Sequence, residues 1–226
     1  PEVMNQVTGK TTSFFEPTID YCVFKICRFT FEKFPHAERS LNTSMKAVGE
    51  AMSIGRNFKE ALQKGMRSLE IKRFGFGSDG QDKITDDMLK NPDTALLKQI
   101  EDKIRIPNDE RLFYLRYALK AGLSIDKIFA LSRIDRWFLH NMQQLVELEE
   151  KIKEYRNELL EDEPKMPVEL LAQAKADGFS DIQLAFLLNS KEAKVKQLRK
   201  NNSVKTAYKL VDTCAGEFNA KQPYFY

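Results

Sequence analysis

The sequence predicts a mainly α chain with a partial α/β flank at its N-terminus and a short extended segment at its C-terminus. Three observations carry this. Between about residues 93 and 199, apolar side chains recur at helical spacing in segments that open on Asp, Ser or Pro. In 45–56, Val48, Glu50, Met52 and Ile54 share one side while Gly49, Ala51 and Ser53 share the other, the pattern of a strand packed closely on a small-residue face. Residues 211–218 read as a second extended stretch.

The elements follow in order. Residues 19–29 are rich in β-branched and aromatic side chains and apolar on both faces, as in a strand covered on both sides. Residues 31–40 are an irregular or partly helical connection. After the strand at 45–55, Asn57 is a good N-cap with Glu60 three residues on. Phe58, Ala61, Leu62, Met66 and Leu69 then give a helix over about 58–72. Residues 74–87 are rich in Gly and Asp, the composition of a flexible linker at a domain boundary.

Beyond that loop, Asp93, Asp109, Ser124 and Asp135 each open a helix, the last one long and running to about residue 155. Residues 161–167 form an acidic linker. Pro167 then sits at the first turn of a helix ending at Gly178, where Pro is best tolerated. Ser180 and Ser190 cap the last two helices, Ser180 forming a capping box with Gln183. One corner design occurs twice, at Ala118–Gly122–Leu123–Ser124 and at Ala174–Gly178–Phe179–Ser180. Each Gly ends a helix in the left-handed conformation and each Ser caps the next.

Composition narrows the function classes. The chain of 226 residues is 42% hydrophobic, enough for a buried core. Its 36 basic and 33 acidic residues leave a formal charge of +3, a mixed surface that argues against a dedicated polyanion binder. Three cysteines, Cys22, Cys27 and Cys214, without a Cys-x-x-Cys pair, speak for a reduced compartment and buried thiols. No apolar run approaches the ~20 residues of a membrane span. The start, Pro1-Glu2-Val3, shows no signal peptide, and the chain reads as an excised segment.

No motif survives as a catalytic, cofactor-binding or metal site. Gly75, Gly77 and Gly80 match G-x-G-x-x-G, but a helix precedes them and nearby aspartates would repel phosphate. Gly55-Arg56-Asn57 is explained as a tight turn and a cap. His36 and His140 cannot build a metal site alone, and His140 lies on a polar helical stripe. The rival reading is a helix-turn-helix over 174–199, with Lys191, Lys194, Lys196, Arg199 and Lys200 facing a duplex. Capped short helices packed at steep angles explain the same pattern without nucleic acid. In the 135–155 helix, Phe138, Met142, Leu145 and Ile152 form a seam that Leu139, Val146 and Leu148 widen. Such a helix is central to its domain or pairs with another chain.

The stretches 45–56 and 211–218, with Ile134-Asp135-Arg136-Trp137-Phe138-Leu139 between them, resemble the large subunit of carbamoyl phosphate synthase over essentially the whole chain. The resemblance implies that 1–72 is the end of the first ATP-grasp synthetase unit, 73–211 the helical oligomerisation domain, and 212–226 the start of the second unit. It implies a cytoplasmic ligase that uses two ATP, bicarbonate and glutamine-derived ammonia to make carbamoyl phosphate for arginine and pyrimidine synthesis. Its partners would be a second copy, the remaining large-subunit domains and a glutamine amidotransferase small subunit, with neither nucleic acid nor membrane. The family's sites for ATP, Mg or Mn, and potassium lie in the central parts of the two units, so none maps onto a residue of this segment.

Overall fold

The computed structural model describes residues 3–160, 162–218 and 222–226. Pro1, Glu2 and Glu161, which entered the readings of the start and of the acidic linker, lie outside the described residues. The described residues form nine helices and one two-stranded sheet, with 41% helix. The mainly α expectation therefore holds only in part, because long irregular segments flank the helices.

Strands β1 (Cys22–Arg28) and β2 (Gly49–Gly55) pair antiparallel, with Cys22 opposite Gly55 and Arg28 opposite Gly49. The small-residue face packs on α1 (Phe58–Ser68), as the alternation required. A Cβ on Gly65 of α1 would lie 2.8 Å from the Phe24 ring and 2.9 Å from Ser53 Oγ, so only glycine lets helix and sheet approach this closely. Ser53 Oγ also donates to the Ala61 carbonyl at 2.7 Å.

Among the described residues, the other sheet face is left largely uncovered. Val23 and Met52 stand 45% and 68% exposed on it, which corrects the expectation of a strand covered on both sides. The cysteine expectation falls for the same reason. Side chains alternate between faces, so Cys27 is exposed on the open one, while Cys22 and Cys214 are half-buried.

Asn57 caps α1 as expected, its Oδ1 accepting from Glu60 N at 2.8 Å. The helix stops at Ser68 instead of about 72, because Glu70 and Lys72 adopt positive φ of 55° and 61°. Within residues 74–87, expected as a flexible linker, the stretch 75–79 is instead buried: Phe76, Ser78 and Asp79 are 1%, 1% and 5% exposed. A Cβ on Gly75 would fall 2.3 Å from Gln63 Oε1, and one on Gly77 2.3 Å from Arg116 Nε. The glycines admit neighbouring side chains, and Asp79 and Asp82 bond inward. Asp79 Oδ2 accepts from Arg73 Nε and Phe74 N, both at 2.9 Å. A short helix, α2 (Asp86–Lys90), follows where only loop was expected.

The helical block comprises α3 (Thr94–Arg105), α4 (Arg111–Lys120), α5 (Ile125–Ser132), α6 (Arg136–Lys153), α7 (Val168–Ala176), α8 (Asp181–Leu187) and α9 (Glu192–Asn201). Asp93, Ser124, Asp135 and Ser180 cap as their side chains predict. Two expected caps fail. Asp109 is drawn to Arg39, whose Nε donates to it at 3.0 Å, while α4 starts after Glu110. Ser190 N is taken by the Ala185 carbonyl at 2.8 Å, its buried Oγ has no hydrogen-bond partner, and α9 starts after Lys191.

Both glycine corners form. Gly122 and Gly178 have φ of +79° and +88°, and the closing bonds Leu123 N to Ala118 O and Phe179 N to Ala174 O are each 3.0 Å. The same closure recurs without glycine at Asn189 (φ 49°) and Ser203 (φ 56°). Helix α1, Phe76 and the helical block share one hydrophobic core, through which α6 runs with Leu139, Leu145 and Ile152 fully buried. The breadth of its apolar face is thereby used within the chain.

The C-terminal segment 211–218 turns rather than running on as a strand. Asp212 accepts from Cys214 N at 3.0 Å and Gly216 N at 2.8 Å, and Ala215 and Gly216 take φ of 51° and 82°. An isolated bridge pairs Leu210 with Phe225.

Candidate interaction surface

Apolar side chains that the core leaves outside mark the candidate surface. At the N-terminal end of α6, Trp137 and Phe138 are 55% and 40% exposed. They pack edge-on at 5.0 Å, and Phe58 holds them from beneath at 5.5 and 5.1 Å. Phe24 of β1 extends this aromatic group, 5.8 Å from Phe58. Such rigid aromatic groups contribute large contact area at little loss of side-chain freedom.

At the opposite end of α6, the chain after Lys153 is tied to α8. Arg156 Nη1 donates to the Phe186 carbonyl at 2.8 Å, and Asn157 N to the Leu188 carbonyl at 2.9 Å. Leu159, Leu160 and Phe186 are exposed at this corner. The two apolar spots are separated by the length of an 18-residue helix, roughly 27 Å at 1.5 Å per residue.

A buried ionic network keeps α6 fixed between them. The Arg116 guanidinium, 1% exposed, donates through Nε and Nη2 to the two oxygens of Glu149 at 3.0 and 2.6 Å, through Nη1 to Asp82 at 3.1 Å, and through Nη2 also to Ser78 Oγ at 2.7 Å. Burial works against its charge, but the Glu149 and Asp82 carboxylates outweigh this and raise its pKa. Burial also pushes the Asp86 carboxyl up. Hydrogen bonds from Lys120 and Lys153 win and hold it at about 2. Glu110, between Lys83 and Lys103, is likewise held at about 2 against its burial. Loop 73–86, α4 and α6 are thus clamped to one another.

The weighed motifs resolve plainly. Gly75 and Gly77 face protein side chains, and His36 and His140 are exposed. Among the described residues, no group of three or more His, Cys, Asp or Glu is placed to hold a metal ion. The basic face proposed for a duplex is engaged with acids: Lys196 with Glu192 at 2.7 Å, Arg199 with Asp181 at 2.7 Å, and Lys194 with Glu163 at 3.4 Å. A cavity of about 440 Å³ opens between β1, residues 69–73 and α4, lined by Phe29, Leu69 and Phe113 among others. Its arginines are paired, Arg39 with Asp109 and Arg73 with Asp79. No local pattern announces it, since its walls come from residues scattered between Cys27 and Tyr117.

Comparison with known proteins agrees with this geometry. Residues 50–203 match the family model described as "Carbamoyl-phosphate synthetase large chain, oligomerisation domain". The chain belongs to that family and carries its oligomerisation domain. It is similar to a carbamoyl phosphate synthase large chain from Archaeoglobus fulgidus, 46% identical over 225 residues, covering 100% of this chain and 20% of that protein. A Rhodopirellula baltica large chain is 44% identical with the same coverage. A Methanopyrus kandleri protein, the N-terminal section of a large chain, is 46% identical over 231 residues, covering 100% of this chain and 39% of that protein. The chain thus spans a minor part of these relatives. The match runs through α7, α8 and α9 and lends nothing to the helix-turn-helix reading. No helix of the described residues is long and apolar enough to cross a membrane.

Proposed function

We propose that this chain self-associates through its helical block and joins two synthetase units of a longer carbamoyl phosphate synthase large chain. Residues 1–72 would close the first ATP-grasp unit, 73–211 form the oligomerisation domain, and 212–226 begin the second. The longer protein would make carbamoyl phosphate in the cytoplasm from two ATP, bicarbonate and glutamine-derived ammonia, for arginine and pyrimidine synthesis. A glutamine amidotransferase small subunit would be its further partner. Nucleotide, Mg or Mn, and potassium would bind in the synthetase units and not in this segment.

The observation that carries self-association is the exposed Trp137–Phe138 pair, held rigidly on a helix whose other apolar side chains are already buried. Closed two-fold pairing, with one patch facing its own copy, is the commonest arrangement of identical chains. A specific contact buries about 1,200–2,000 Å² in total. Size-exclusion chromatography with light scattering tests this. The mass should rise from monomer toward dimer as loading concentration increases, and a constant monomer mass into the high micromolar range would reject it.

A further inference from the structure

The two ends of the chain meet. Residues 3–13 form a small hairpin, with Met4 bridged to Thr12, Asn5 N bonded to Thr11 O at 2.9 Å, and Ser13 N to Val3 O at 2.7 Å. Three side chains of this hairpin converge on one carboxylate oxygen, Glu217 Oε1. Asn5 Nδ2 donates at 3.0 Å, Thr8 Oγ1 at 3.1 Å, and Thr11 Oγ1 also donates to it. All three donors are neutral, so the contact needs a strong acceptor oxygen and not a charge partner.

The surrounding bonds join the same two segments. Thr18 N donates to the Ala215 carbonyl at 2.8 Å, and Tyr21 Oη to the Asp212 carbonyl at 3.2 Å. The turn that presents Glu217 is itself fixed by the Asp212 carboxylate and the left-handed Ala215–Gly216 pair. The failure of 211–218 to form a strand therefore has a consequence: the turn aims Glu217 back at the N-terminal hairpin.

We propose that Glu217 locks residues 3–18 and 209–218 into one rigid body, so that the two synthetase units are coupled directly as well as through the helical block. This rests on the assignment of the two ends to different units. In relatives of which this chain spans 20%, the interlock would sit where both units approach the linker. A displacement in one unit would then reach the other through Glu217 and the Thr18–Ala215 and Tyr21–Asp212 bonds beside it, and the coupling would act equally in both directions.

Hydrogen exchange on the full-length large chain tests this, comparing the parent with Glu217→Ala, Glu217→Gln and the double variant Thr8→Val/Thr11→Val. Amides of α6 serve as the reference for intact folding. Losing hydrogen bonds to a charged acceptor accelerates local opening about tenfold or more. Glu217→Ala should therefore speed exchange in 3–18, and Thr8→Val/Thr11→Val should speed it in 209–218. Glu217→Gln, which keeps an acceptor oxygen but loses the charge, should restore part of the protection. Effects confined to the segment carrying each substitution would overturn the proposal. Sedimentation of the same samples reads self-association separately, so loss of the oligomer with reciprocal exchange effects intact would reject the proposed function alone.

Discussion

Gly122 and Gly178 close the same kind of corner but sit in different surroundings. Both have positive φ, so any side chain there meets backbone strain of about 1–2 kcal/mol. A Cβ on Gly122 finds nothing within 4 Å. On Gly178 it would lie 2.9 Å from Glu60 Cα and 3.0 Å from Gln63 Cβ, pushing α1 away from the α7–α8 corner. Gly178→Ala should therefore cost clearly more than Gly122→Ala in urea unfolding, by at least about 1 kcal/mol, in the range typical of overpacking. Equal costs would mean that α1 yields freely at this contact. The corner itself was legible in the sequence, because the Gly–apolar–Ser order is local. The added constraint was not, since Glu60 lies more than a hundred positions away along the chain.

At the scale of elements, helices with local capping signals were found and the loop was misjudged. Asp93, Ser124, Asp135 and Ser180 reach only two or three residues along the chain, so their spacing reveals them. Loop 74–87 has a linker's composition, but its order comes from Gln183 and from Arg116, itself held by Glu149, which no local pattern announces. Charged pairs hold it, and acid should release it. The folded-state carboxyls of Asp86 and Glu110 are depressed to about 2 from ordinary values of 3.8 and 4.5. Groups depressed in this way stabilise the fold fully above their unfolded values, and the gain is lost as pH falls through the folded ones. The thermal midpoint should thus fall between about pH 4.5 and pH 2. The double variant Asp86→Asn/Glu110→Gln should start lower and show a shallower fall across that window. A fall of the same steepness would assign the acid sensitivity to other groups.

For the molecule as a whole, the stretches 45–56 and 211–218, with the six-residue Ile134–Leu139 stretch between them, carried the resemblance to its family. Which part of α6 remains outside could not be read that way. Periodicity marks Phe138 and Leu145 as one seam, yet Leu145 is buried and Phe138 is 40% exposed, because α1 ends its cover at Phe58. The exposed aromatic pair thereby becomes the most specific candidate for contact between copies. The most direct measurement is sedimentation equilibrium of the parent and of Trp137→Lys over a wide concentration range, with thermal unfolding as a check that the exposed substitution leaves the fold intact. The account predicts that the parent associates reversibly and that Trp137→Lys weakens association at least about tenfold, as loss of a central aromatic anchor does. A parent that associates no more strongly than Trp137→Lys would contradict it.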